Sequence, residues 1–116
     1  MTDTKRIRVL SVDDHPLVRE GIAAMINDQP DMEVVSQGAS GKEAIQRFRE
    51  HRPDVVLMDV RLPDISGIDA MITIRSEFPD ARVIVLTSSE GDAEMRRALE
   101  GGARGRADAR VFARRH

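Results

Sequence analysis

The sequence contains no cysteine, tryptophan or tyrosine, and only three phenylalanines, Phe48, Phe78 and Phe112. The lack of cysteine excludes disulfide frameworks and thiolate metal sites, and fits a reducing, cytoplasmic location. So few rings leave no stacking platform for single-stranded nucleic acid. The only histidines, His15, His51 and His116, argue against a His-based zinc site. Apolar runs such as Val55-Val56-Leu57-Met58 fall far short of the ~20 residues that cross a bilayer. No signal-type apolar core follows Met1-Thr2-Asp3-Thr4-Lys5-Arg6, so no membrane association is expected.

What is present is one domain's worth of chain. It has 116 residues, 41% hydrophobic and 33% charged, a globular composition able to bury a core without staples. The net charge of −2 hides an asymmetry. Residues 1–100 carry 13 basic and 19 acidic side chains, whereas residues 101–116 carry five Arg and one Asp.

Strand-like and helix-like segments alternate. Arg6-Ile7-Arg8-Val9-Leu10-Ser11-Val12 is rich in β-branched residues and runs into the acidic turn Asp13-Asp14. Pro16 suits a first helical position, and Leu17, Ile22, Met25 and Ile26 are expected on one helix face. Asp28-Gln29-Pro30-Asp31 breaks that helix, and residues 32–36 read as a second strand. Ser40 and Glu43 have capping-box spacing. They open a helix with Ala44, Ile45 and Phe48 on one side, stopped at Arg52-Pro53. Asp54-Val55-Val56-Leu57-Met58 is a continuous apolar strand closed by Asp59, as in strands covered on both faces. After a loop over residues 62–67, Ile68, Met71, Ile72 and Ile74 mark a third helix ended by Phe78-Pro79-Asp80. Arg82-Val83-Ile84-Val85-Leu86 is a fourth strand ending at Thr87. A fourth helix carrying Ala93, Met95, Ala98 and Leu99 runs into Gly101-Gly102. Such repeated units imply a parallel sheet with helices on both faces.

Acidic or hydroxyl residues close three of these strands: Asp13 and Asp14, Asp59, and Thr87. In open parallel sheets, ligands bind at the carboxyl ends of strands where the order reverses. With the order 2-1-3-4, three carboxylates converge in one crevice. Their mutual repulsion raises at least one pKa or calls for a cation, and hard oxygen donors suit Mg²⁺. A carboxylate beside that ion can attack a phosphoryl group and form an acyl phosphate. Taken singly, each acid also reads as a turn or cap, with Asp14 capping the Pro16 helix. The combination at successive strand ends favours a site.

Val12-Asp13-Asp14-His15-Pro16, then Pro53-Asp54-Val55-Val56-Leu57-Met58-Asp59-Val60-Arg61-Leu62-Pro63-Asp64-Ile65-Ser66-Gly67, then Val83-Ile84-Val85-Leu86-Thr87-Ser88 resemble the receiver domain of bacterial two-component response regulators. The phrasing is nearest the NarL-like subgroup. The resemblance implies a flavodoxin-like (CheY-like) doubly wound α/β fold with strand order 2-1-3-4. It implies that Asp59 accepts a phosphoryl group from a sensor histidine kinase. Asp14 would ligate Mg²⁺ directly, Asp13 largely through water, and the backbone carbonyl of Arg61 would be another ligand beside Asp59. Thr87 would be the switch hydroxyl. Arg61 and Ser89 fall at variable positions that tune phosphate lifetime, and Pro63 and Gly67 shape the adjoining loop. Such a module is not an enzyme in the usual sense, although it catalyses its own phosphorylation and dephosphorylation.

The pattern breaks after Gly102-Ala103-Arg104-Gly105. Arg106 stands at the family's aromatic switch position, and Ala109 stands where the family has a Lys that pairs with the phosphoacceptor. Arg106 or Arg110 would substitute poorly, since Arg is larger and forked. Residues 1–105 are therefore read as the receiver domain and 106–116 as an atypical Arg-rich tail. With the sequence ending at His116, neither a full final helix nor a DNA-binding domain is expected in this chain. A missing fifth strand leaves an open sheet edge, which favours a homodimer or swapped oligomer. Three origins of the tail stay open: natural divergence, an altered C-terminus, or a fifth strand from Val111-Phe112-Ala113 after a longer loop.

Two rival functions remain. One is a degenerate receiver acting as a phosphorylation-independent interaction module. The other is an Mg²⁺-dependent phosphatase, ranked lower because such enzymes carry Asp-x-Asp on one strand. Weaker signals read as structure. Ser40-Gly41-Lys42 lacks the rest of a phosphate-binding loop and is taken as a helix cap. His15 is taken as a turn residue, Met71 and Met95 as core, and the Arg-rich tail as a solvated charge run.

Overall fold

The computed structural model describes residues 5–86. The elements run β1 (Ile7–Val12), α1 (Pro16–Asn27), β2 (Met32–Gly38), α2 (Gly41–His51), β3 (Val55–Asp59), α3 (Gly67–Glu77) and β4 (Val83–Leu86). All strand pairs are parallel, in the order β2-β1-β3-β4. This is the parallel sheet expected from the alternating pattern, in the flavodoxin-like strand order that the family resemblance implies. The fourth helix, Thr87, Ser89, the fifth strand and the tail lie outside the described residues.

The apolar runs form buried strands because successive side chains enter opposite faces. Leu10, Val12, Val56, Met58, Val83 and Val85 face α2 and α3, where they pack with Phe48, Ile68, Met71 and Ile74. Val9, Leu57 and Leu86 face the other way and pack with Ile22 and Ile26 of α1. Among the described residues, helices thus pack on both faces of the sheet.

Two helix faces differ from expectation. Leu17 and Met25 are 82% and 42% exposed, and the buried stripe of α1 is Val18, Ile22 and Ile26. Residues 17 and 25 lie one position, or about 100° of helix, before the members of that stripe. On α3, Ile68, Ala70, Met71 and Ile74 are buried while Ile72 is 44% exposed, for the same geometric reason.

The ends of α2 and α3 follow local chemistry. Ser40 Oγ accepts the Glu43 N–H at 3.1 Å, and Glu43 Oε1 reaches back to the Ala39 N–H at 3.1 Å. The capping reading of this segment therefore holds. Ser66 Oγ caps α3 through the Asp69 N–H at 3.1 Å. Arg52 ends α2 in the left-handed conformation, φ 45°, with its N–H on the Phe48 carbonyl at 2.8 Å. Its guanidinium lies 4.1 Å from the Phe78 ring centroid, a cation–π contact that helps hold this uncommon backbone. Among the described residues, no helix is long and apolar enough to cross a membrane.

Candidate functional site

β1 and β3 are neighbours that point the same way, so the residues at their carboxyl ends meet. Val12 pairs with Met58 in register, which places Asp13 and Asp14 beside Asp59. Ligand atoms of Asp13, Asp14, His15 and Asp59 all lie within 4.8 Å of one another. The predicted acidic crevice is therefore present.

Its members are held differently. Asp13 is only 2% exposed. Its Oδ1 accepts the His15 N–H at 2.8 Å, and its backbone carbonyl accepts Arg19 Nη1 at 2.7 Å. Asp14 is exposed and makes no helix cap; His15 occupies the N-cap position of α1. The His15 ring goes beyond the turn role expected of it. Its Nδ1 lies 3.1 Å from Asp13 Oδ1 and 3.0 Å from Asp14 Oδ1. The Asp13 hydrogen bond, then the charges of Asp14 and Asp13, raise the His15 pKa above its ordinary value.

Asp59 closes β3, half-buried, and its Oδ1 accepts the Arg61 N–H at 3.1 Å. Burial pushes its carboxyl up to about 6. The Asp13 and Asp14 charges add to the rise, while the Arg61 N–H and His15 oppose it. Three carboxylates crowded in this way present hard oxygen donors with excess negative charge, and that chemistry fits a small divalent cation such as Mg²⁺. The nitrogen donor in the group, His15, is already turned onto two of the acids. Asp13, Asp14 and Asp59 would hold the ion.

The loop after β3 is fixed from below. Gly67 donates its N–H to the Val60 carbonyl at 2.8 Å, and a Cβ at Gly67 would overlap the Asp59 carbonyl oxygen. Only glycine fits there. Arg61 is exposed next to Asp59. Thr87 follows Leu86, the register partner of Asp59, but both Thr87 and Ser89 lie outside the described residues. Sequence reasoning missed the contacts of His15, Arg19 and Asp64. His15, at the N-cap of α1, and Arg19, four residues on, both turn back to Asp13, a contact that no spacing in the sequence signals.

Known proteins agree with this geometry. The response regulator receiver domain family matches residues 9–106, and the chain belongs to that family. The response regulator protein VraR of Staphylococcus aureus is 47% identical over 96 residues, covering 83% of this chain and 46% of VraR. The chain thus spans about half the length of that curated relative. A LuxR-family two-component response regulator from an Aurantimonas species superposes with a TM-score of 0.82 at 40% identity, covering 85% of this chain and 71% of that one. The receiver domain of the putative response regulator NarL from Mycobacterium tuberculosis also gives 0.82, at 29% identity, over 92% of this chain and 93% of its own.

Proposed function

We propose that the chain is the phosphoacceptor module of a cytoplasmic response regulator, taking a phosphoryl group from a sensor histidine kinase onto Asp59 with Mg²⁺. The observation that carries this is the convergence of Asp13, Asp14 and Asp59 at the ends of adjacent parallel strands. A carboxylate oxygen of Asp59 attacks phosphorus, and the bond from phosphorus to the donor nitrogen breaks. The product is an acyl phosphate, and the departing imidazole takes a proton. Bound Mg²⁺ supplies positive charge that offsets the acids and the incoming phosphoryl oxygens. Asp14 is assigned as a direct ligand, Asp13 as largely water-mediated, and the Arg61 carbonyl as a further ligand. Thr87 is assigned as the switch hydroxyl, and Arg61 and Ser89 as positions tuning phosphate lifetime. The receiver unit is taken as 1–105, with 106–116 a separate Arg-rich tail. Output is assigned to transcription regulation, by likeness to the LuxR-type relatives, and a homodimer through the β4 edge remains part of the proposal.

The test is intact mass after incubation with Mg²⁺ and acetyl phosphate. The wild type gains one phosphoryl group, and Asp59→Asn or chelation of Mg²⁺ abolishes the gain. A wild type that stays unmodified, while a known receiver domain labels in parallel, overturns the proposal in favour of a phosphorylation-independent module.

A further inference from the structure

Asp64 lies in the loop after β3, yet its carboxylate serves α2. Oδ1 accepts the Gly41 N–H at 2.8 Å, Oδ2 accepts the Lys42 N–H at 2.9 Å, and Oδ1 also accepts the Ile65 N–H at 2.7 Å. Gly41 and Lys42 are the first two residues of α2. Their N–H groups have no partner inside the helix and carry the positive end of its dipole. One carboxylate spanning both makes a charge-assisted clamp. α2 already has its local cap in Ser40, so Asp64 is a second one supplied from a distant segment.

The clamp is closely seated. A Cβ at Gly41 would run into the Ile65 side chain, and Leu62 and Ile65 pack onto the core. At its other end the loop is stapled by Gly67 to Val60, directly beneath Asp59. Residues 60–66 are therefore held at both ends and from below. Arg61 stands between those anchors, with its N–H on Asp59 Oδ1.

We infer that Asp64 is a positioning residue for the acidic site: by clamping the 60–66 loop onto the first turn of α2, it fixes the Arg61 backbone beside Asp59. This rests on the phosphoacceptor reading and adds a residue that touches neither the phosphoryl group nor the cation. A role confined to capping α2 predicts something different, and Ser40 provides the comparison. Ser40→Ala removes a cap from the same helix end without touching the loop.

The test compares Asp64→Ala, Asp64→Asn and Ser40→Ala with wild type in two measurements. One is amide hydrogen exchange at residues 60–66 in Mg²⁺-free protein; the other is the phosphorylation rate with acetyl phosphate and Mg²⁺, read by intact mass. Asp64→Ala is expected to speed exchange at Arg61 and to slow phosphorylation roughly ten-fold or more, as for a misplaced catalytic neighbour. Asp64→Asn should lie between, because its one amide oxygen can still accept from Gly41 and Ile65. Ser40→Ala should match wild type in both. The inference is overturned if Asp64→Ala behaves as wild type, or if Ser40→Ala slows phosphorylation as much. If wild type takes no phosphoryl group, the phosphoacceptor reading falls and exchange alone decides the clamp, with unchanged exchange at Arg61 overturning it. If Asp64→Ala does not fold, the ranking of Asp64→Asn against Ser40→Ala decides in the same way.

Discussion

Asp59 is ionised at neutral pH against its surroundings. Its carboxyl titrates near 6 in the folded protein, above its ordinary 3.8, because burial and two acidic neighbours disfavour the charge. Between those values the folded state binds more protons than the unfolded state, so this group's contribution to stability falls as pH rises from about 4 to 6. Asp59→Asn removes that burden. In urea unfolding without divalent cations, the variant should exceed wild type by about 1–2 kcal/mol at pH 7, after allowing for solvent screening of a half-exposed group. The gap should close near pH 3.5; no gap at pH 7 would show that the crevice does not strain Asp59. Gly67 tests the geometry beneath it. A methyl group there would strike the Asp59 carbonyl, so Gly67→Ala should destabilise by about 3 kcal/mol in the same assay.

At the scale of the element, α1 separates two stripes that periodicity alone could not. Leu17 and Met25 are spaced like core residues, but Gly21 stands between them at the same four-residue step, and that stripe faces outward. Val18, Ile22 and Ile26 form the adjacent stripe and carry the packing. Ile22→Ala should cost about 2–4 kcal/mol, whereas Leu17→Gln should change stability little. The strands were far more legible, because runs such as Val55-Val56-Leu57-Met58 leave no solvent face to choose. The acids were legible for a related reason, since each ends a strand whose direction the alternating pattern already implied. The ring of His15 and the reach of Asp64 were not, because they depend on side-chain direction and, for Asp64, on contact across more than twenty positions. Burial acts to raise the Asp64 carboxyl, but the N–H groups of Lys42, Ile65 and Gly41 prevail and hold it at about 2. That lowered value gives stability present above pH 4 and lost as pH falls toward 2. Asp64→Asn should flatten the loss in that window, as followed by circular dichroism.

On the scale of the whole molecule, the strand order makes the site. Placing β1 beside β3, with α1 on one face and α2 and α3 on the other, brings acids more than forty residues apart in sequence into one crevice. Under the proposed function, a cation held by these acids is coupled to global stability. Mg²⁺ at ten times its dissociation constant should stabilise wild type by about 1.4 kcal/mol, and Asp14→Ala should respond far less at the same concentration. The central claim concerns one oxygen atom, and borohydride trapping tests it most directly. Protein treated with acetyl phosphate and Mg²⁺ is reduced, digested and mapped by mass, since an aspartyl phosphate is converted to homoserine. The account predicts homoserine at position 59 and nowhere else. Homoserine at position 13 or 14 instead, or unreduced Asp59 in a sample whose intact mass shows phosphorylation, would contradict it.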